Sequence, residues 1–147
     1  MAARKLNAFI VRIDFSPVNP QSLAMSIREK FDLSVYFVID PMHCRGRAPE
    51  DVVASAVKGG VSMIQLRNKV DTLDVVREQA LKIQGLLKST AIPFLINDHV
   101  ELAAEIRADG VHIGQGDMSP AQAREILGAD ALIGLTAFTP EHYQALD

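Results

Sequence analysis

A chain of 147 residues has the size of one ordinary domain, and 48% hydrophobic against 22% charged residues describes a packed protein, not a disordered one. A formal charge of −3 gives no general attraction to nucleic acid or to an anionic membrane, so any anion must be held by locally placed Arg and Lys. The single cysteine, Cys44, excludes an internal disulfide and fits a cytoplasmic setting, while Leu6–Phe15, interrupted by Arg12 and Asp14, is too short and too charged to span a membrane.

The N-terminal residues contain Pro17, Pro20 and only a brief apolar run, Phe9–Val11. Residues 1–24 therefore read as a dispensable extension, with an added strand over Ala8–Phe15 as the competing reading. From Val35 onward, strand-like runs alternate with helical ones. Val35–Ile39 is rich in β-branched and aromatic residues and ends at Asp40-Pro41, which predicts a first strand. Pro49 stands where a first helical residue belongs, and Val52, Val53, Ala56 and Val57 form a stripe ending at Gly59-Gly60. Val61–Leu66 is the second strand. A longer helix follows a cap at Asp71 or Thr72, with Leu73, Val76, Ala80, Ile83 and Leu87 facing one partner. Ile92–Ile96 is the third strand, Val100–Ile106 a short helix and Gly110–Ile113 the fourth strand. Ser119 as cap, Pro120 at the first position and Gln122 three residues after the cap predict a helix that closes near Gly128. Leu132–Leu135 is a fifth strand, and Thr139-Pro140 opens a fifth helix.

This alternation predicts an α/β protein with a parallel sheet and right-handed crossovers. Two architectures compete: a doubly wound open sheet, and a closed TIM (β/α)8 barrel of which about the first five units are present. Polar clusters at several strand ends favour the barrel, whose reactive groups ring one mouth. There is no G-x-G-x-x-G and no P-loop, which counts against nucleotide binding. Barrels usually need about 200 residues or more, and with five units the first and fifth strands are expected to be unpaired edges.

The second strand runs into Gln65-Leu66-Arg67-Asn68-Lys69. Alternate residues of a strand share a face, so Gln65, Arg67 and Lys69 point one way while Ile64 and Leu66 point under the helices. Two cations and an amide on one side suit a diphosphate; the plainer reading is a solvated strand end. The third strand ends in Asn97-Asp98 and the fourth leads to Gly114-Gln115-Gly116-Asp117. Two carboxylates after adjacent strands suit Mg²⁺, which takes one or two carboxylates and completes its shell with water and substrate phosphate. Their plainer reading is as caps of the following helices. His112, inside an apolar strand, reads as a satisfied core histidine, and His43-Cys44 as loop residues.

Gln65-Leu66-Arg67-Asn68-Lys69, Ile96-Asn97-Asp98, Gly110-Val111-His112-Ile113-Gly114-Gln115 with Asp117, and Gly134-Leu135-Thr136-Ala137 resemble, in order and spacing, the motifs of thiamin phosphate synthases. The resemblance spans roughly Ser34 to the last residue. It implies a TIM barrel that joins a hydroxymethylpyrimidine diphosphate to a thiazole phosphate and releases diphosphate. Gln65, Arg67, Lys69, Asn97 and Thr136 would hold the pyrimidine diphosphate, and Asp98 and Asp117 would hold Mg²⁺, with no protein nucleophile expected. By the same likeness Met25–Leu33 resembles the short helix before the first strand, so that 25–147 forms the barrel-like domain. Asn68 stands where the family usually has Glu, Thr136 where it has Ser and Phe138 where it often has His. The family's Pro-Thr-x-Thr-Lys loop and late glycine-rich phosphate loops have no counterpart, so the resemblance is to a C-terminally truncated synthase of impaired activity. The alternatives are a thiazole tautomerase-type sibling and a non-catalytic fragment or subunit. Lys69, Asn97, Asp98 and Asp117 favour the synthase. The implied partners are the two small-molecule substrates, with a homo-oligomer or a complementing C-terminal chain as the protein partner.

Overall fold

The computed structural model describes residues 32–139, His142 and the backbone of Ile10–Ile13. The sheet is built from β1 (Ile10–Ile13), β2 (Tyr36–Ile39), β3 (Met63–Leu66), β4 (Phe94–Asn97), β5 (Gly110–Ile113) and β6 (Leu132–Ala137). Between them lie α1 (Pro49–Lys58), α2 (Leu73–Leu87), α3 (Val100–Ile106) and α4 (Pro120–Leu127). The short helix expected over Met25–Leu33 and the one opening at Thr139 fall mostly outside the described residues.

Local chemistry sets the helix ends. Pro49 opens α1, and Gly59-Gly60 closes it, the Gly59 N–H donating to the Ser55 carbonyl and the Gly60 N–H to that of Val57. Ser119 and Gln122 form a reciprocal capping box on α4, satisfying donors that the first turn leaves unpaired. At α2, Thr72 is the cap residue but its side chain makes no cap hydrogen bond, so this helix depends on its buried stripe. That stripe is Val76, Ala80, Ile83 and Leu87; Leu73, expected to begin it, is 45% exposed.

Strand order is β1-β6-β5-β4-β3-β2. Strands β2 to β6 are parallel and follow one another in chain order, forming a half-barrel. A doubly wound sheet reverses its strand order at a switch point; this one does not. The expected edges need one correction. The fifth parallel strand, β6, is not an open edge, because β1 pairs with it antiparallel, Ile10 opposite Ala137 and Ile13 opposite Gly134. The unpaired groups of β6 find partners without a crossover helix, which only a parallel neighbour would need.

The two faces of the sheet differ. Ile64, Leu66, Phe94, Ile96, Val111, Ile113, Ile133 and Leu135 share one cluster with Val53, Val76, Ala80, Ile83, Val100 and Ala123 of the helices. The other face carries a small apolar group of Met63, Leu95 and Leu132 with Tyr36 against it, then the polar residues Gln65 and Asn97 toward the strand ends.

Gly110 allows β5 and β6 to approach closely. A Cβ built there would lie 1.9 Å from the Leu132 carbonyl oxygen and 2.6 Å from its carbon, and backbone cannot move aside as a flexible side chain can. Gly110→Ala is therefore expected to separate the strands and lower stability by about 1–3 kcal/mol, the usual cost of overpacking. A urea midpoint unchanged from the parent would overturn this.

Candidate functional site

At the end of β3, successive residues part company. Gln65 is buried, and its Nε2 donates to Asn97 Oδ1 of β4 at 2.7 Å. Its Oε1 accepts from the Tyr36 hydroxyl of β2 at 2.6 Å. Arg67 donates through Nη1 to Asp40 Oδ2 at 2.8 Å, the carboxylate at the end of β2. Lys69 Nζ lies 2.8 Å from Asp98 Oδ2. The four residues expected to hold a pyrimidine diphosphate across β3 and β4 thus divide into a buried amide pair and two cations on separate carboxylates.

Asn68 has a different task. It is 4% exposed, its Nδ2 donates to Asp71 and Gln79, and its Oδ1 accepts from the N–H groups of Val70 and Asp71. An amide supplies donors and acceptors together, which this turn needs and a carboxylate could not match. The departure at this position organises the loop between β3 and α2.

Neither expected metal carboxylate caps a helix. The cap residue of α3 is His99 and that of α4 is Ser119. Asp98 sits at φ +63°, in the left-handed region that Asp tolerates better than most residues. Its N–H continues the ladder to the His112 carbonyl at 2.8 Å while its carboxylate reaches Lys69. Asp117 folds back so that Oδ2 accepts the Gly114 N–H at 2.7 Å. Among the described residues no three His, Cys, Asp or Glu side chains gather as a protein-only metal cage. The carboxylate oxygens of Asp98 and Asp117 are hard donors of the kind Mg²⁺ takes, one or two beside water and phosphate oxygens.

Thr136 of β6 places its hydroxyl 2.8 Å from His112 Nε2, and its carbonyl accepts from Gln115 Nε2 at 2.7 Å. Phe138 is 70% exposed, stacked edge-on with His142, and its N–H donates to His142 Nδ1 at 3.2 Å. Tyr36 and Asp40 were missed from sequence, although the alternation that put Gln65 and Arg67 on one face places Tyr36, Val38 and Asp40 beside them. A separate cavity of about 520 Å³, lined by Leu87, Ile92, Phe94, Ile106 and Arg107 among others, opens at the opposite, N-terminal ends of the strands and holds none of these residues.

Fold and site together define a parallel β/α half-barrel whose strand ends gather amides, cations and carboxylates. The chain belongs to the thiamine monophosphate synthase family, whose model matches residues 35–147. It is 43% identical over 117 residues to the thiamine-phosphate synthase of Xanthobacter autotrophicus, covering 80% of this chain and 56% of that protein. It is 44% identical over 115 residues to the one of Azorhizobium caulinodans, covering 78% and 54%. The solved thiamine phosphate pyrophosphorylase from Pyrococcus furiosus superposes with a TM-score of 0.66 at 27% identity, over 75% of this chain and 53% of that one. The chain thus spans about half the length of the curated relatives it matches.

His112 is only half of the satisfied core histidine that the sequence suggests. Its Nε2 meets Thr136, but Nδ1 is buried without a hydrogen-bond partner among the described residues. The ring lies over Gly134, where an added Cβ would come 2.6 Å from Nδ1. Burial is the main influence on its pKa and lowers it from the ordinary 6.5; Asp98 and Asp117 oppose that shift and Lys69 adds to it. The unfolded chain then binds this proton more readily than the folded one. Its neutral form should add stability that is complete above about pH 6.5 and is lost as pH falls toward the depressed folded value. Urea midpoints between pH 7.5 and 5 should fall more steeply for the parent than for His112→Gln. Parallel slopes would remove His112 from the linkage.

Proposed function

We propose that this chain carries the pyrimidine-diphosphate half of a thiamin phosphate synthase site within a TIM-barrel framework. The observation that carries the reading is the meeting, at one set of strand ends, of Gln65 with Asn97 and of Lys69 with Asp98, in a chain of this family. Gln65 and Asn97 supply fixed amide groups, Arg67 and Lys69 supply positive charge, and Thr136 supplies a hydroxyl. Asp98 and Asp117 would hold Mg²⁺, which when bound neutralises charge on the diphosphate oxygens. As the carbon–oxygen bond to the diphosphate breaks, negative charge grows on the leaving oxygens, where Arg67 and Lys69 stabilise it. The electron-rich pyrimidine carries the cation until the thiazole nitrogen captures it, so the reaction needs no protein nucleophile. Residues to position the thiazole phosphate have no counterpart in this chain. They belong to the part of the relatives that this chain does not cover, so the proposal is confined to the diphosphate half of the site, with a homo-oligomer or a complementing C-terminal chain as its protein partner. No helix among the described residues is long and apolar enough to cross a membrane; a cytoplasmic place of action belongs to the proposal.

The test is calorimetric titration of this chain with hydroxymethylpyrimidine diphosphate, with and without Mg²⁺. Asp98→Asn and Asp117→Asn should each weaken the Mg²⁺-dependent binding about tenfold or more, since interactions with charged groups contribute about 1.5–3 kcal/mol. Thermal melts should stay close to the parent. Unchanged affinity in both variants would return the two carboxylates to purely local roles.

The same proposal puts the working unit at 25–147 and treats 1–24 as an extension to it, supported by a family match that begins at residue 35. Deleting 1–24 should leave the α/β unit folded, with a thermal midpoint lowered by no more than a few degrees. With the β6 edge bared, sedimentation should show stronger self-association. A larger fall in the midpoint would show that the α/β unit depends on β1 and not merely pairs with it.

A further inference from the structure

The buried amide pair of β3 and β4 has a direction, and its origin is on β2. The Tyr36 hydroxyl donates to Gln65 Oε1 at 2.6 Å, and Gln65 Nε2 donates to Asn97 Oδ1 at 2.7 Å. Gln65 is 3% exposed and Asn97 7%. Each amide has an oxygen side and a nitrogen side of nearly equal size, so shape alone does not fix which way either faces. The phenol does. Its proton has one acceptor among the described residues, Gln65 Oε1. Were the Gln65 amide reversed, its NH₂ would face the hydroxyl and the phenol proton would lose that acceptor. Tyr36 is half-buried, and a donor shielded from water that loses its acceptor costs more than the small difference between two amide orientations. Burial also holds the Tyr36 phenol well above its ordinary pKa, so the donor stays protonated.

The direction reaches Asn97. With Oδ1 taken by Gln65, its Nδ2 group is the end left for the strand-end mouth, and no described residue accepts from it. The mouth is thereby offered N–H donors and not a carbonyl oxygen. That polarity suits a ligand rich in acceptors, whether phosphate oxygens or ring nitrogens.

We propose that Tyr36 is a positioning residue of this site, whose hydroxyl sets the orientation of the Gln65 and Asn97 amides so that Asn97 presents donors to the substrate. The inference rests on the proposed pyrimidine-diphosphate reading and adds to it a residue that touches no substrate. It makes Tyr36 dependent on Gln65. A tyrosine that merely fills space would act independently of it.

A double-mutant cycle separates the two. Affinity for hydroxymethylpyrimidine diphosphate at saturating Mg²⁺ is measured for the parent, Tyr36→Phe, Gln65→Leu and the double variant. Tyr36→Phe is expected to bind about tenfold more weakly, and to cause less than about a twofold further loss where Gln65 is already Leu. In ¹⁵N spectra without ligand, the Asn97 side-chain NH₂ pair should shift in Tyr36→Phe while the backbone pattern persists. Equal losses in both backgrounds, or no loss in either, overturn the positioning role. If Gln65→Leu does not fold, the spectrum decides, and an unmoved Asn97 NH₂ pair overturns it. A parent chain that binds no probe overturns the pyrimidine-diphosphate reading first, and this inference with it.

Discussion

Everything at the mouth depends on strand register. A parallel strand buried against helices on one side must send every second residue to that side, and a slip by one residue reverses the assignment. In β3 the reversal would send Ile64 and Leu66 out of the helix layer and drive Gln65 beneath α2. Ile64, Phe94 and Ile96 are fully or almost fully buried in that layer, each contributing about 1.5–3 kcal/mol by burial. Losing several such residues at once exceeds any gain from rearranged polar contacts. The apolar face, which has no chemistry of its own, therefore fixes where Gln65, Arg67, Asn97 and His112 stand. Pairing of Ile64 with Phe94 and of Asn97 with His112 carries that choice across the sheet.

With apolar packing setting position, the charged groups are free to be arranged for binding. Arg67 rests on Asp40 and Lys69 on Asp98, with the cations 41% and 50% exposed. Ion pairs this open to water typically contribute only about 0–1 kcal/mol. They hold long side chains near the mouth at small cost, and under the proposed reading a diphosphate exchanges for the carboxylates easily. The amide pair contrasts with them. Gln65 and Asn97 are buried and connected, so breaking them leaves polar atoms without partners and costs more. One part of the site can yield to a ligand while the other keeps its shape.

Much of this was legible in the sequence, for identifiable reasons. Helices with strong local punctuation were found almost residue for residue: α4 from Ser119, Pro120 and Gln122, and α3 from its short apolar span. The alternation around Gln65 correctly separated the mouth from the helix layer. What escaped were relations between distant residues. Nothing near Tyr36 or Asp40 in the chain announces a hydrogen bond to Gln65 or Arg67, because pairing of β2 with β3 creates both. The stripe on α2 was overextended to Leu73 because periodicity cannot see that the first turn projects beyond its partner. Asn68 stood out only as a departure from the family's usual Glu, and its role appeared only when the loop closed around it.

The sheet's two ends show how an open arc of parallel strands is contained. At β2 the outer edge has no neighbour among the described strands, and Val35 and Val38 remain 48% and 45% exposed. At β6 the edge is taken by β1, whose four residues run antiparallel along Gly134 to Ala137. A strand offers its outward N–H and C=O groups to one neighbour only. A sixth parallel strand placed beside β6, as closure of a barrel requires, would need the same groups that β1 now occupies. The two pairings exclude each other, so closure from this side must displace β1. Thr136 lies in that contested segment, opposite Val11, and its hydroxyl also meets His112.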